Sequence, residues 1–372
     1  MLSSGSVDAN AFKVKRTTVV QGLANPWDIA FINADEALVT EKNGGLKRVN
    51  MSTGEVNNIA GLPLDVEHIS PTDRRDNSGL FGIALDPDFS RNKYIYLAYS
   101  AGLGGLSTTR LIKAKLQRDQ LQDIQVLLTA EPFSIDRFHY GGGLVFGVDG
   151  KLYLTVGERY FNEIDQPSLP VAQDIQDRRG KIYRINSDGS IPKDNPVLGQ
   201  KAVPGIYALG IRAAQGLTVH PTRGEIWFTE HGPRQGDEVN VLAAGANYGW
   251  PNKTKGRYRN QNYLPKHIEG AVYTDPVWSW SQTVAPTGLT FYSGSEFPHW
   301  HGSLFVAGLS AGSLWRLSFQ GQQVKAVQQL FVDDPVRLRS IKQSPDGRLY
   351  MLTDEINGRI LRLDLNKEKG LR

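Results

Sequence analysis

The chain has 372 residues, 40% hydrophobic and 22% charged, which is ordinary for a soluble globular protein and enough for two domains or one large repeat-built domain. No apolar run approaches bilayer-spanning length, and the opening MLSSGSVDANAF lacks the basic start and apolar core of a secretion signal. The net charge of +4 comes from scattered basic residues without interleaved aromatics, which removes nucleic acid as an expected partner, and the absence of cysteine removes disulfides, thiolate metal sites and cysteine nucleophiles.

In chain order the first element is a strand, FKVKRTTVV, from Phe12 to Val20. One phrase then recurs six times: an apolar triplet, a turn carrying Asp, Pro or Gly, a strand of alternating aromatics and aliphatics, and a further strand. The copies begin at Pro26 (PWDIAFINADEALVTEKNGGLKRV), Gly79 (GLFGIALDPDFSRNKYIYLAYS), Gly142 (GGLVFGVDGKLYLTVGER), Gln215 (QGLTVHPTRGEIWFTEHGP), Thr287 (TGLTFYSGSEFPHWHGSLFVAGL) and Ser340 (SIKQSPDGRLYMLTDEINGRILRLDL). Period-two alternation in IYLAY, LYLTV, IWFTE and LFVAG predicts antiparallel strands, with tight Asp-Gly turns at Asp149, Asp188 and Asp346. The best helical pattern, Lys113 to Leu128, reads better as strand, loop and strand.

Six such units predict an all-β fold, a six-bladed β-propeller of four-stranded antiparallel blades. The last strand, ILRLDL, ends close to the C-terminus, so the N-terminal strand is expected to close the ring. One domain over residues 12–366 is expected, with flexible ends at 1–11 and 367–372. A pair of β-sandwiches would instead show no six-fold similarity and a central linker.

Chemistry is expected on the loops at one mouth of the channel. The stretch EHGPRQGDEVNVLAAGANYGWP, Glu230 to Pro251, joins a Gly-Pro turn to the carboxylates Asp237 and Glu238, a pattern that suits a Ca²⁺-type ion or an ordinary solvated loop. His139 precedes three glycines and could act as a base, or bond backbone as a structural histidine. Glu158 on the next strand could orient that imidazole, or pair with Arg159. Arg212 could bind an anionic cofactor or a developing oxyanion, or serve an internal ion pair. Arg337 and Arg339, two apart on an extended segment, share a face, which favours a carboxylate ligand over a solvated basic edge.

The phrases NPWDIAF, GLFGIALDPDF, HYGGGLVF, EHGPRQGDE, NYGWP, APTGLTFY and SPDGRLYMLTDE resemble the soluble quinoprotein glucose/sorbosone dehydrogenases, especially the aldose sugar dehydrogenases that use pyrroloquinoline quinone (PQQ). They run in order from about Leu23 to Leu363. The resemblance implies a six-bladed propeller that oxidises an aldose at C1 to the lactone, with PQQ and Ca²⁺ as cofactors. It also implies a separate electron acceptor and a periplasmic or secreted location that the missing thiols fit; the lack of a long apolar run leads to the expectation of no membrane insertion, and the oligomeric state is left open between monomer and homodimer. By the same resemblance His139 is the base, Glu158 its acidic partner and Arg212 the contact to the quinone carbonyl region. Gly232 and Pro233 are the turn whose carbonyls hold Ca²⁺, and Glu238 and Tyr248, with Asp237 beside them, form a second Ca²⁺ site. Arg337 and Arg339 engage cofactor carboxylates, and Tyr258 matches a cofactor-stacking tyrosine.

Four positions depart from the family pattern: Asn77 for Gln, Gly143 for Arg, Ala213 for Asn and Ser310 for Lys, with Asn77 kept among the cofactor contacts. Each lost hydrogen bond costs about 0.5–1.5 kcal/mol net. The departures leave room for an alternative, a catalytically impaired Ca²⁺-binding propeller that holds a sugar or a protein. A Ca²⁺-dependent lactonase would need acidic or Asn ligands converging from several blades, a set the sequence does not assemble.

Overall fold

The computed structural model describes residues 14–68, 76–159, 170–265, 269–310, 312 and 314–366. Phe12, Lys13 and both expected flexible ends lie outside the described residues. Among the described residues twenty-four strands form six four-stranded antiparallel sheets, so the propeller expectation is met. The innermost strands are Pro26–Phe31, Leu80–Leu85, Gly141–Phe146, Ala214–Val219, Pro286–Phe291 and Leu338–Gln343, each within two residues of a repeat start read from the sequence. In the sixth blade, Val14–Leu23 pairs with Gly358–Leu365, from Val14 opposite Leu365 to Leu23 opposite Gly358, which closes the ring. The ambiguous stretch resolves into the strands Leu106–Gln117 and Gln120–Thr129. Among the described residues, helix is confined to Phe89–Asn92 and a 3₁₀ turn at Pro298–Trp300, and no helix is long and apolar enough to cross a membrane.

The second strand of a blade explains the apolar runs. Leu152–Val156, Ile226–Glu230, Leu304–Gly308 and Leu349–Thr353 are buried at every residue, because each lies between two neighbouring blades. A threonine on this strand staples one blade to the next: Thr40 Oγ1 donates to the Phe81 carbonyl (2.6 Å), Thr155 to Ala214 (2.8 Å) and Thr229 to Thr287 (2.6 Å).

The recurrent Gly-Leu step has a packing cause. A Cβ on Gly216 would stand 2.1 Å from the Thr287 carbonyl, and one on Gly143 would stand 2.8 Å from the Gln215 carbonyl. Innermost strands of neighbouring blades therefore approach each other more closely than a side chain permits. All six innermost strands also carry a register irregularity near their first residues. These bulges lie at one end of the channel, where they re-aim the loops that enter it.

Candidate active site

His139 lies just before the innermost strand of the third blade, and Glu158 just after the second strand. The two meet at that end of the channel, with His139 Nδ1 2.5 Å from Glu158 Oε1. The Glu158 side chain is fully buried and that of His139 is 13% exposed. His139 holds a left-handed backbone (φ 48°), uncommon for a residue with a Cβ. Arg159 braces it. Its guanidinium donates to the carbonyls of Phe138 (3.0 Å), Ser107 (2.8 Å) and Asp136, and it lies 3.7 Å over the Tyr140 ring. Burial, then Arg212, Arg259 and Arg159, push His139 well below the usual imidazole range, so it is neutral at pH 7. With Nδ1–H directed at Glu158, Nε2 is left as a proton acceptor.

Arg212 occupies the equivalent place in the fourth blade. Its backbone N–H donates to Glu230 Oε1 (2.5 Å) and its Nη1 to the His231 carbonyl (3.1 Å), while its guanidinium sits 5.0 Å from the Trp250 ring. Its Nε is buried without a hydrogen-bond partner among the described residues. The Gly232–Pro233 bend follows His231. Asp237 secures it: Oδ1 accepts from Gly232 N (2.9 Å), and Oδ2 from Val284 N (2.6 Å) and Ala285 N (2.7 Å). The Asp237 carboxylate thus ties together the loop that shapes the bend. The Pro233 carbonyl accepts from Arg259 Nε (3.2 Å).

Glu238 and Glu230 are directly opposite each other on adjacent strands. Both line a cavity of about 10 Å³, room for one water-sized occupant, together with Arg212, Gly232, Tyr248 and Trp250. Burial raises Glu238 to about 7, and burial together with Glu238 raises Glu230 well above the carboxylate range. The Tyr248 hydroxyl is engaged elsewhere, accepting from Ala243 N (3.0 Å) and donating to the Val241 carbonyl (2.6 Å). Among the described residues no group of three or more His, Cys, Asp or Glu side chains could hold a metal, so an ion here would need main-chain oxygens as well.

Arg337 and Arg339 share a face, but their anionic partner is internal. Asp354 Oδ2 lies 2.8 Å from Arg337 Nη2 and 3.1 Å from Arg339 Nη2. This replaces the expectation that the pair lacks a counter-charge without a ligand. Although burial pushes Asp354 up, Arg339, Lys42 and Arg337 hold it well below the usual carboxylate range. Arg339 also donates to Gln215 (2.6 Å), and its Nε is buried without a hydrogen-bond partner among the described residues. Lys42, lowered to about 8 first by burial and then by Arg339, adds a further cation.

Tyr258 packs against Trp250 and Tyr263. Its hydroxyl donates to the Pro251 carbonyl (2.5 Å), and its ring lies 6.1 Å from Trp250 and 4.8 Å from Tyr263. Asn77 is half-buried, its N–H on the Arg137 carbonyl (3.0 Å) next to the loop that leads to His139. Gly143 lines the channel with Gln215 and Arg339, and Ser310 donates its N–H to the Val284 carbonyl (2.9 Å). Sequence reading does not single out Glu230, Lys42, Arg159, Arg259 or Asp354. Only Glu230 had a usable signal, since a regular hairpin across the EHGPRQGDE turn sets it against Glu238.

A family model for glucose/sorbosone dehydrogenase matches residues 23–362. The chain is 32% identical over 349 residues to an aldose sugar dehydrogenase of Escherichia coli K12, covering 92% of this chain and 90% of that protein. The apo crystal structure of the soluble aldose sugar dehydrogenase from Escherichia coli superposes with a TM-score of 0.84 at 31% identity, over 95% of this chain and 100% of the other. The PQQ-bound aldose sugar dehydrogenase from Streptomyces coelicolor superposes with a TM-score of 0.76 at 26% identity, over 96% and 99% of the two chains.

Proposed function

The chain belongs to the glucose/sorbosone dehydrogenase family, a family of PQQ-type sugar dehydrogenases, and on that premise we propose that it oxidises aldoses at C1 to lactones with PQQ and Ca²⁺. The observation that carries the reading is a neutral imidazole, held at Nδ1 by Glu158, at the same channel mouth as Arg212 and the Gly232–Pro233 bend.

The residues fit a polyanionic quinone. Arg212 and Arg339 each keep a buried Nε without a hydrogen-bond partner among the described residues, and Lys42 and Arg337 add charge of the same sign. Arg337 and Arg339 would take carboxylates, Arg212 the quinone carbonyl region, and Asn77 a place on the rim. Tyr258 would act from behind, by backing Trp250. The donor set near the bend also fits Ca²⁺, which prefers six to eight oxygens from carboxylates and carbonyls. The Gly232 and Pro233 carbonyls would provide one site. Glu238, with Glu230 and a main-chain oxygen of Tyr248, would provide the other, and Asp237 would shape the loop between them.

When bound, the quinone supplies the hydride acceptor and Ca²⁺ polarises its carbonyl. His139 Nε2 takes the proton of the anomeric hydroxyl, and Glu158 holds the ring in the tautomer that leaves Nε2 open. The positive charge that develops on the imidazole is balanced by the Glu158 carboxylate. Arg212 stabilises negative charge developing beside it. A separate electron acceptor, a monomeric or homodimeric state, and a periplasmic or secreted location belong to the same reading.

Reconstitution of the metal-depleted protein with Ca²⁺ and PQQ, followed by dye reduction with glucose and other aldoses, tests it. Quinone-dependent turnover that disappears in His139→Ala is the expected result. Absence of PQQ binding in titration calorimetry removes the proposal and leaves the binding module.

A further inference from the structure

Gln173 belongs to none of the groups the mechanism uses, yet it is buried and every polar atom of its amide is engaged. Nε2 donates to Asn247 Oδ1 (3.1 Å) and to the Trp250 carbonyl (2.7 Å), and Oε1 accepts from Asn247 Nδ2 (2.7 Å). The two amides pair reciprocally, and the second hydrogen of Gln173 Nε2 holds the main chain of Trp250. These contacts join residues 74 and 77 apart, from a loop of the third blade to the NYGWP corner beyond the fourth-blade strand Glu238–Val241. Both sides of the contact are held. Lys181, fully buried, donates Nζ to the carbonyls of Val171 (2.8 Å) and Arg179 (2.6 Å), which pins both ends of the loop, and the Ala172 carbonyl accepts from Gly210 N (2.9 Å). In the corner, Asn247 Oδ1 also accepts from Gly249 N (2.9 Å), while Tyr248 N and Trp250 N donate to the carbonyls of Leu209 (2.9 Å) and Gly210 (3.0 Å). A Cβ on Gly210 would stand 2.2 Å from Asn247 Oδ1 and 3.0 Å from Gln173 Nε2, so glycine at this left-handed position (φ 75°) leaves room for the amide pair.

What the corner carries gives the contact a use. Tyr248 and Trp250 line the water-sized cavity that Glu230 and Glu238 share, and the Arg212 guanidinium sits 5.0 Å from the Trp250 ring. Gln173 itself does not line that cavity. The two carboxylates stand on the paired strands Ile226–Glu230 and Glu238–Val241, whereas Tyr248 and Trp250 lie on irregular backbone. Ca²⁺–oxygen distances span only ~2.3–2.6 Å, so an ion in this cavity is bound only as tightly as the irregular part of its lining is fixed.

Resting on the Ca²⁺ reading above, we propose that Gln173 is a positioning residue for the Glu230–Glu238 metal site. Its amide fixes the Asn247–Trp250 corner, and with it the main-chain oxygen of Tyr248, at the spacing from the two carboxylates that the ion requires. It acts through the corner and touches neither metal nor substrate.

Chelator competition on the full chain, without PQQ, reads Ca²⁺ affinity, and scanning calorimetry in chelator reads the stability of the same samples. Glu238→Gln, measured alongside, identifies the binding step that belongs to this cavity. Gln173→Met keeps the length of the side chain and removes its amide. It is expected to bind Ca²⁺ about 10–100-fold more weakly, the range for groups that orient a metal ligand without touching the ion. Gln173→Asn keeps a buried amide but falls one methylene short of the Trp250 carbonyl; it is expected to lose several-fold and serves if the first variant folds poorly. The double variant Gln173→Met/Asn247→Ala is expected to bind no more weakly than Asn247→Ala alone, since both act through one contact. Parent-like Ca²⁺ affinity in Gln173→Met and Gln173→Asn, at whatever melting temperature, makes the amide merely structural; that result, or losses that add in the double variant, overturns the proposal and leaves the Ca²⁺ reading intact. A parent chain that binds no Ca²⁺ removes the Ca²⁺ reading itself, and the proposal with it.

Discussion

Glu238→Gln is expected to stabilise the metal-free protein at neutral pH, yet to leave it less stable than the parent in Ca²⁺. Glu238 and Glu230 face each other across adjacent strands and share one small cavity. Burial raises Glu238 from 4.5 to about 7. A carboxyl whose folded pKa lies above its unfolded value binds more protons when folded, so its contribution is complete below about 4.5 and falls as pH rises to about 7. At ~1.36 kcal/mol per pH unit, that interval corresponds to a loss of at most about 3 kcal/mol, or on the order of 5 °C in Tm. Glutamine cannot ionise and escapes the loss. A bound divalent cation neutralises the facing carboxylates and flattens the pH dependence of the parent, a gain the variant lacks. Scanning calorimetry at about pH 5 and about pH 7.5, in chelator and in millimolar Ca²⁺, reads both effects. A parent with pH-independent stability in chelator, or a variant with the parent's calcium response, would refute the reasoning.

His139→Asn is expected to lower kcat by about 10²–10⁴-fold with PQQ affinity retained, as measured by stopped-flow dye reduction beside calorimetry. Because burial and three arginines hold His139 below the usual imidazole range, its basic form persists under mild acid. kcat/KM should stay level as pH falls through 6.5 and drop only lower; an inflection above about 7 would contradict the assignment. Asp354→Asn removes the carboxylate shared by Arg337 and Arg339, and should cost about 3 kcal/mol, with part of the Tm recovered on adding PQQ. Gly232→Ala would set a Cβ 2.0 Å from the Gln235 carbonyl, so the bend must open. Its Ca²⁺ affinity, read by chelator competition, should fall at least ~ten-fold while the far-ultraviolet circular dichroism of the blades is retained.

The propeller was legible because each blade is local. A hairpin, its Gly-Leu step and its Asp-Gly turn lie within a few tens of residues, so periodicity and turn chemistry determine them wherever the blade sits in the ring. The same locality exposed the Gly232–Pro233 bend and the position of His139 at a strand start. Sequence also marked Arg337 and Arg339 as a same-face pair, but gave no sign of Asp354, beyond the next strand, as a carboxylate within reach of both.

Ring closure and blade-to-blade contact decided the rest. Arg339 meets Gln215 across a separation of 124 residues, and Ser340 meets Asp28 across 312. Arg159 reads in sequence as a partner for its neighbour Glu158, whereas the fold turns its guanidinium to carbonyls at 107, 136 and 138. A cleft beside the Gly232–Pro233 bend likewise assembles residues 233–235, 257, 259 and 283, which no spacing rule connects. Composition and period could specify which residues build a blade, because those forces act between near neighbours. Burial, field and charge partner at the mouth depend on which loops the closed ring brings together, and these set whether a carboxylate is ionised or an imidazole is neutral.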